Sequence, residues 1–203
     1  MDRDLYLRLN DLARSTAWAH PFMRSFARYG IVLFPVLFLW SWWIGRTESD
    51  SKVIAAAVWA AAACLLAVAL AQPIVNAVDR SRPYAHDHGA LVLADRTTDP
   101  SFPSDHSTIA GAAAAGLWFT RRRRVRVSAI GLAAAMAFAR VYVGAHYPGD
   151  VLGGLAFGAA VGALGGWLLV TPISRGVDWV ATTGLRRLVV PGSEPEPERP
   201  RVH

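Results

Sequence analysis

An all-α membrane bundle of five to six helices, led by an amphipathic N-terminal helix, is the fold this sequence predicts. Hydrophobic residues fill 53% of the 203 positions and charged residues only 18%, against about 25% charged in soluble domains. Mean hydropathy is +0.28. The apolar residues gather into successive runs, several close to the ~20 residues that cross a bilayer, and most charges fall between them. The length suits one domain. A net charge of +6 raises nucleic acid as a partner. The arginines, however, cluster between apolar runs and near the termini, a pattern of membrane topology, so membrane lipids and no nucleic acid are the expected surroundings.

The elements follow in order. Residues 2 to 26 pattern as an amphipathic helix, with Leu5, Leu9 and Leu12 on one face and Arg3, Asp4, Arg8, Asp11 and Arg14 around them. Pro21 is expected to break or kink it. The segment 1-26 either lies on the membrane surface or packs on the bundle as an arm. Its early charges exclude a signal peptide, so the internal helices are expected to direct insertion. The core is expected over 27-172. Its first span is Tyr29 to Gly45, ending in the interfacial tryptophans Trp40, Trp42 and Trp43. Val53 to Val78 is the second span, uncharged and containing Pro73. A polar loop over 79 to 103 leads to the third, Ser104 to Thr120. After Arg121 to Arg124 comes the fourth, Val127 to Ala145, which carries Arg140. The fifth, Val151 to Val170, has glycine at 154, 158, 162 and 166, a stripe that lets a neighbouring helix approach closely. Residues 173-190 suggest a second surface helix, and 191-203, rich in Pro, Glu and Arg, a disordered tail. The single cysteine, Cys64, lies in an apolar run and reads as a packing residue.

Alternation of the spans brings three polar clusters to one side: Asp79 to Pro83, Pro103 to His106, and Arg140 to Asp150. The Arg121 to Arg124 block reaches the other. Positively charged short loops favour the cytoplasm, so the polar clusters are expected to face outward from a bacterial-type plasma membrane.

Ionisable groups at the edge of a hydrocarbon layer are costly, and they are functional candidates for that reason. Arg82 and Arg140 offer guanidinium forks that match phosphoryl oxygens. Ser104 and Asp105 open a helix whose free backbone N–H groups suit an anion. His106, one turn in, is placed to protonate a leaving oxygen. Tyr147-Pro148-Gly149 forces a turn between His146 and Asp150. Asp150 is then expected to accept a hydrogen bond from one His146 ring nitrogen, leaving the other as a nucleophile. This chemistry calls for no metal and no cofactor. His86-Asp87-His88 is read as a solvated loop, since a metal site there would need further ligands.

These clusters resemble the three signature motifs of the type 2 phosphatidic acid phosphatase superfamily: Lys-x6-Arg-Pro, Pro-Ser-Gly-His and Ser-Arg-x5-His-x3-Asp. They stand here as Val75…Arg82-Pro83, Pro103-Ser104-Asp105-His106 and Ala139-Arg140…His146…Asp150. The resemblance spans roughly residues 25 to 172 and implies a phosphohistidine on His146, activated by Asp150, with His106 as general acid. It also implies phosphate contacts at Arg82, Ser104 and Arg140. Val75 replaces the motif lysine, Asp105 the glycine and Ala139 the serine; Arg80 is the candidate to supply the missing cation. Arg-x-Arg-Pro and Pro-Ser-Asp-His look like the forms found in bacterial undecaprenyl-pyrophosphate phosphatases. The expected activity is hydrolysis of a lipid phosphate or pyrophosphate, foremost a polyprenyl pyrophosphate in lipid-carrier recycling for cell-wall synthesis. The alternatives are a phosphatidic acid or phosphatidylglycerol phosphate phosphatase, a vanadate haloperoxidase-like enzyme, and a catalytically inactive membrane lipid-binding protein.

Overall fold

The computed structural model describes residues 1–191. They form eight α-helices, with no strand among the described residues: α1 (Asp2–Ser15), α2 (His20–Tyr29), α3 (Leu33–Thr47), α4 (Ser51–Val78), α5 (Pro83–His86), α6 (Asp105–Leu117), α7 (Arg123–Tyr142) and α8 (Pro148–Ala181).

Three of them make the centre. The α4 helix starts where the Asp50 carboxylate accepts from the backbone N–H of Lys52 and Val53, a side-chain N-cap. Its Ala-rich run buries Ala55, Ala60, Ala63, Ala67 and Ala71 completely. At 28 residues and a 1.5 Å rise it is roughly 42 Å long, beyond the ~30 Å hydrocarbon thickness. One end therefore projects past the apolar layer. The α6 helix has 13 residues, extended by a 3-10 turn at Trp118–Thr120. It runs between α4 and α8 with Ala110, Ala112, Ala113 and Leu117 fully buried. Four helical stretches are long and apolar enough to cross a membrane: Ala17–Thr47, Ser51–His86, Arg123–Tyr142 and Pro148–Ala181. The expected third span thus corresponds to a shorter, central helix wrapped by the others.

The approach of α6 to α8 depends on the glycine stripe. At Gly158 an added Cβ would collide with the carbonyl oxygen of Thr108, so a backbone-to-backbone contact replaces side-chain packing.

Several boundaries differ from the sequence reading. The amphipathic segment divides at Thr16, and Pro21 sits in the first turn of α2. There a missing N–H is harmless, so it starts a helix instead of breaking one. The α2 and α3 helices join through a 3-10 turn at Gly30–Val32, so the helical stretch that contains the expected first span begins at Ala17. Of the two readings of the N-terminal helix, the packed arm is what α1 forms. Tyr6 and Ala13 are fully buried, and Asn10 exchanges hydrogen bonds with Leu91 through its amide N (2.7 Å) and O (2.9 Å). Trp18 and Phe22 remain exposed. The expected surface helix over 173-190 is also revised. Pro172 is accommodated and α8 runs on to Ala181. The stretch after it packs on α3, where Trp42 and Arg46 donate to the carbonyls of Leu188 and Arg187. The expected disordered tail lies, from residue 192 on, outside the described residues.

Candidate active site

At the end of the bundle formed by the C-termini of α4 and α7 and the N-termini of α6 and α8, a cavity of about 480 Å³ opens. Arg82, Asp105, His106, Arg140 and His146 line it, so residues from all three sequence-distant clusters meet there. The basic block lies at the opposite end, where Arg122 pairs with Glu48 and Asp50 at the start of α4.

His146 stands in the short connection between α7 and α8. That turn is made at Gly144, with φ +76°, where a Cβ would also lie 2.7 Å from the Leu91 carbonyl oxygen. The imidazole is 3% exposed. Its Nδ1 lies 2.9 Å from the Ser101 carbonyl oxygen, an acceptor only, so this nitrogen carries the proton. Nε2 then keeps its lone pair and faces two donors, Arg140 Nη2 at 3.3 Å and Arg82 Nη1 at 3.4 Å. Burial first, then the charges of Arg140 and Arg82, hold the imidazole well below its ordinary pKa. It is neutral at pH 7, as a nitrogen nucleophile must be.

The expected direct bond from His146 to Asp150 is not formed. The two are 3.9 Å apart, and Ser101 stands between them. Its hydroxyl donates to Asp150 Oδ2 at 2.5 Å and lies 3.3 Å from His146 Nδ1. Asp150 is fully buried and also caps α8 by accepting from the Tyr147 N–H at 2.9 Å. Asp150 therefore bears on His146 through Ser101. Sequence reasoning missed that serine, which sits two residues before Pro103 with no motif of its own.

Arg80 is likewise corrected. It is turned away from the cavity, donating to Asp150 Oδ1 at 2.6 Å and Asp2 Oδ2 at 2.7 Å, with its guanidinium 4.3 Å from the Tyr147 ring centre. The missing lysine is therefore not replaced by Arg80. Val75 lines the cavity itself, flanked on the same face of α4 by Gln72 and Asn76 at helical spacing. These two amides, the polar exceptions in the apolar second span, were the signal left unread.

The cationic cradle is Arg82 and Arg140. Arg82 is anchored by Nε to the Asp99 carbonyl at 2.9 Å, and Arg140 by Nη1 to the Ala27 carbonyl at 3.2 Å. The buried Arg140 Nε has no partner among the described residues. Ser104 is fully buried and receives a hydrogen bond from the Ser107 hydroxyl at 3.3 Å. Its N–H donates to the Asp150 carbonyl at 3.1 Å, which locks the starts of α6 and α8 together. The first intrahelical bond of α6 is Thr108 N to Ser104 O, so earlier N–H groups lack an intrahelical acceptor. The Asp105 carboxylate is itself on the wall, leaving only its backbone suited to an anion. A nucleophilic imidazole, a second imidazole and two guanidiniums around one cavity can bind a phosphoryl group and exchange it through nitrogen.

A model of the PAP2 superfamily matches residues 56–171 of this chain. Undecaprenyl-diphosphatase BcrC of Bacillus subtilis is 28% identical over 164 residues, covering 81% of this chain and 82% of that protein. Lipid A 1-phosphatase of Rhizobium johnstonii is 46% identical over 96 residues, covering 44% of this chain and 38% of the relative; the chain thus spans well under half of that protein. The crystal structure of Aquifex aeolicus LpxE superimposes with a TM-score of 0.61 at 25% identity, over 78% of this chain and 92% of that one.

Proposed function

The chain belongs to the PAP2 superfamily, and from that premise we propose that it is a membrane phosphatase acting on a polyprenyl pyrophosphate. The observation that carries the reading is the setting of His146. Its unprotonated Nε2 points at two guanidiniums across a cavity that also holds His106. Similarity to an undecaprenyl-diphosphatase over four-fifths of both chains favours the prenyl diphosphate.

In the proposed reaction Arg82 and Arg140 hold the terminal phosphoryl oxygens. Nε2 of His146 attacks phosphorus, and the bond from phosphorus to the bridging oxygen breaks. His106 gives its proton to that leaving oxygen, which departs on the prenyl monophosphate. The substrate's negative charge favours a protonated His106 at that moment. A water molecule then attacks the phosphohistidine, His106 takes its proton, and inorganic phosphate leaves while the Nε2 lone pair returns. The prenyl tail stays in the bilayer throughout, which avoids an extraction cost of about 0.8 kcal/mol per methylene. A cavity end facing outward from a bacterial-type plasma membrane completes the reading.

A second reading, hydrolysis of a different lipid phosphate, draws on the 46% identity to a lipid A 1-phosphatase over part of the chain. A phosphate-release panel in detergent separates the two, using a prenyl diphosphate, phosphatidic acid, phosphatidylglycerol phosphate and lipid A with excess chelator. The prenyl diphosphate is expected to turn over fastest, and His146→Ala to lose activity by about a thousandfold or more, as loss of a nucleophile does. Faster release from another lipid overturns the substrate assignment. An absolute requirement for a divalent ion overturns the chemistry.

A further inference from the structure

Asp2 is the second residue of the chain, yet its carboxylate reaches the machinery around Asp150. Its Oδ1 accepts from the backbone N–H of Gly149, in the first turn of α8, at 2.8 Å. Its Oδ2 pairs at 2.7 Å with Arg80, whose other terminal nitrogen donates to Asp150. The α1 helix that carries Asp2 is held by independent anchors. Arg3 pairs with the buried Asp87, Asn10 is bonded to Leu91, and the Tyr6 ring packs edge-on against Tyr147 at 5.4 Å. A continuous line of charge-assisted bonds thus runs from α1 to the carboxylate that faces Ser101 and, beyond it, His146.

From these contacts we infer that Asp2 and Arg80 are positioning residues, through which the N-terminal helix fixes Asp150 and hence the nucleophile. Asp150 divides its oxygens. Oδ2 serves Ser101 and the Tyr147 N–H, while Oδ1 rests on Arg80 alone of the side chains around it. Arg80 is a fork with one prong on each carboxylate, so removal of Asp2 frees one prong and loosens the other. Reacting groups must be held within about 0.5 Å of productive geometry, and an attack angle is lost before any binding contact is. The inference rests on the phosphatase reading above.

The test uses the purified full chain and prenyl diphosphate, measuring kcat and KM for Asp2→Asn, Arg80→Gln, their double variant, Asp2→Glu and Arg3→Gln. Each of Asp2→Asn and Arg80→Gln is expected to lower kcat by roughly ten- to a hundredfold, the range of a lost charge-assisted bond. KM should stay within about twofold, because neither residue touches substrate. The double variant should be no worse than the weaker single, and Asp2→Glu should recover part of the rate. Arg3→Gln, which removes an anchor of α1 off the line to Asp150, should retain wild-type kcat. Unchanged kcat in both Asp2→Asn and Arg80→Gln overturns the inference alone. So does a raised KM at constant kcat, which returns Arg80 to the phosphate cradle, or an equal loss in Arg3→Gln, which reduces α1 to a prop for the fold. A wild-type chain that releases phosphate from no lipid overturns the phosphatase reading and this inference with it.

Discussion

Ser101 is the residue on which the proposed nucleophile and its carboxylate both depend. Its carbonyl oxygen takes the Nδ1 proton of His146 and so sets the tautomer, while its hydroxyl bridges to Asp150. The two functions separate under mutation. Ser101→Ala keeps the backbone carbonyl, so Nε2 still points into the cavity and substrate binding is preserved. What disappears is the hydroxyl that lets a fully buried carboxylate bear on the ring. Ser101→Ala should therefore lower kcat about ten- to a hundredfold with KM nearly unchanged, a split that steady-state phosphate release reads directly. A rise in KM with intact kcat would instead make Ser101 a substrate contact. The contrast with Asp150 is instructive. The carboxylate was legible from its place four residues after His146, and the serine was not, because a lone serine in a polar loop carries no spacing signal until the loop folds against α8.

At the scale of elements, the site is only as exact as the contact between α6 and α8. His106 enters the cavity from the first turn of α6, whereas Asp150 sits in the first turn of α8. Gly158 lets the two backbones meet at Thr108, with no room for a methyl group. Gly158→Ala should destabilise the protein by about 2 kcal/mol or more, since rigid backbone must move to admit it, and should lower kcat as α6 and His106 shift. Gly131 is the control. It lies in the middle of α7 with nothing within 4 Å of an added Cβ, so Gly131→Ala should raise stability by up to ~1 kcal/mol through helix propensity alone. Thermal melts of both in one detergent decide the matter, and a Gly158→Ala chain as stable and active as wild type would remove the close approach from the argument. The glycine stripe was visible in the sequence as small residues at every fourth position. The ends of elements were less so. Pro21 reads locally as a breaker but falls in the first turn of α2, and Pro172 lies within α8.

For the molecule as a whole, the sorting of charge between the two ends of the bundle bears on orientation. Around the cavity end, four arginines outside the cradle are matched by carboxylates: Arg3 with Asp87, Arg80 with Asp2 and Asp150, and Arg24 and Arg28 with Asp95. At the far end, Arg122 takes up Glu48 and Asp50, while Arg121 beside it in the short connection and Arg123 and Arg124 in the first turn of α7 add further positive charge. The positive-inside rule weighs such short loops most heavily, so the proposed orientation puts the far end in the cytoplasm and the cavity at the outer face. The N-terminal helix α1 lies on the cavity side, but its three arginines are balanced by three aspartates, so it does not outweigh the basic block. The convergence of the three clusters at one end could be read from alternation of spans, because each span reverses the chain; which face that end meets needs a measurement. Cys64 is the single cysteine and is buried, so Cys64→Ser gives a blank background. On it, Thr98→Cys in the exposed loop at the cavity end and Arg124→Cys in the basic block should respond oppositely to a membrane-impermeant thiol reagent applied to intact cells. Labelling is expected at position 98 before lysis and at 124 only after it. The reverse pattern would place the cavity in the cytoplasm and, with it, limit the enzyme to lipid phosphates presented on the inner leaflet.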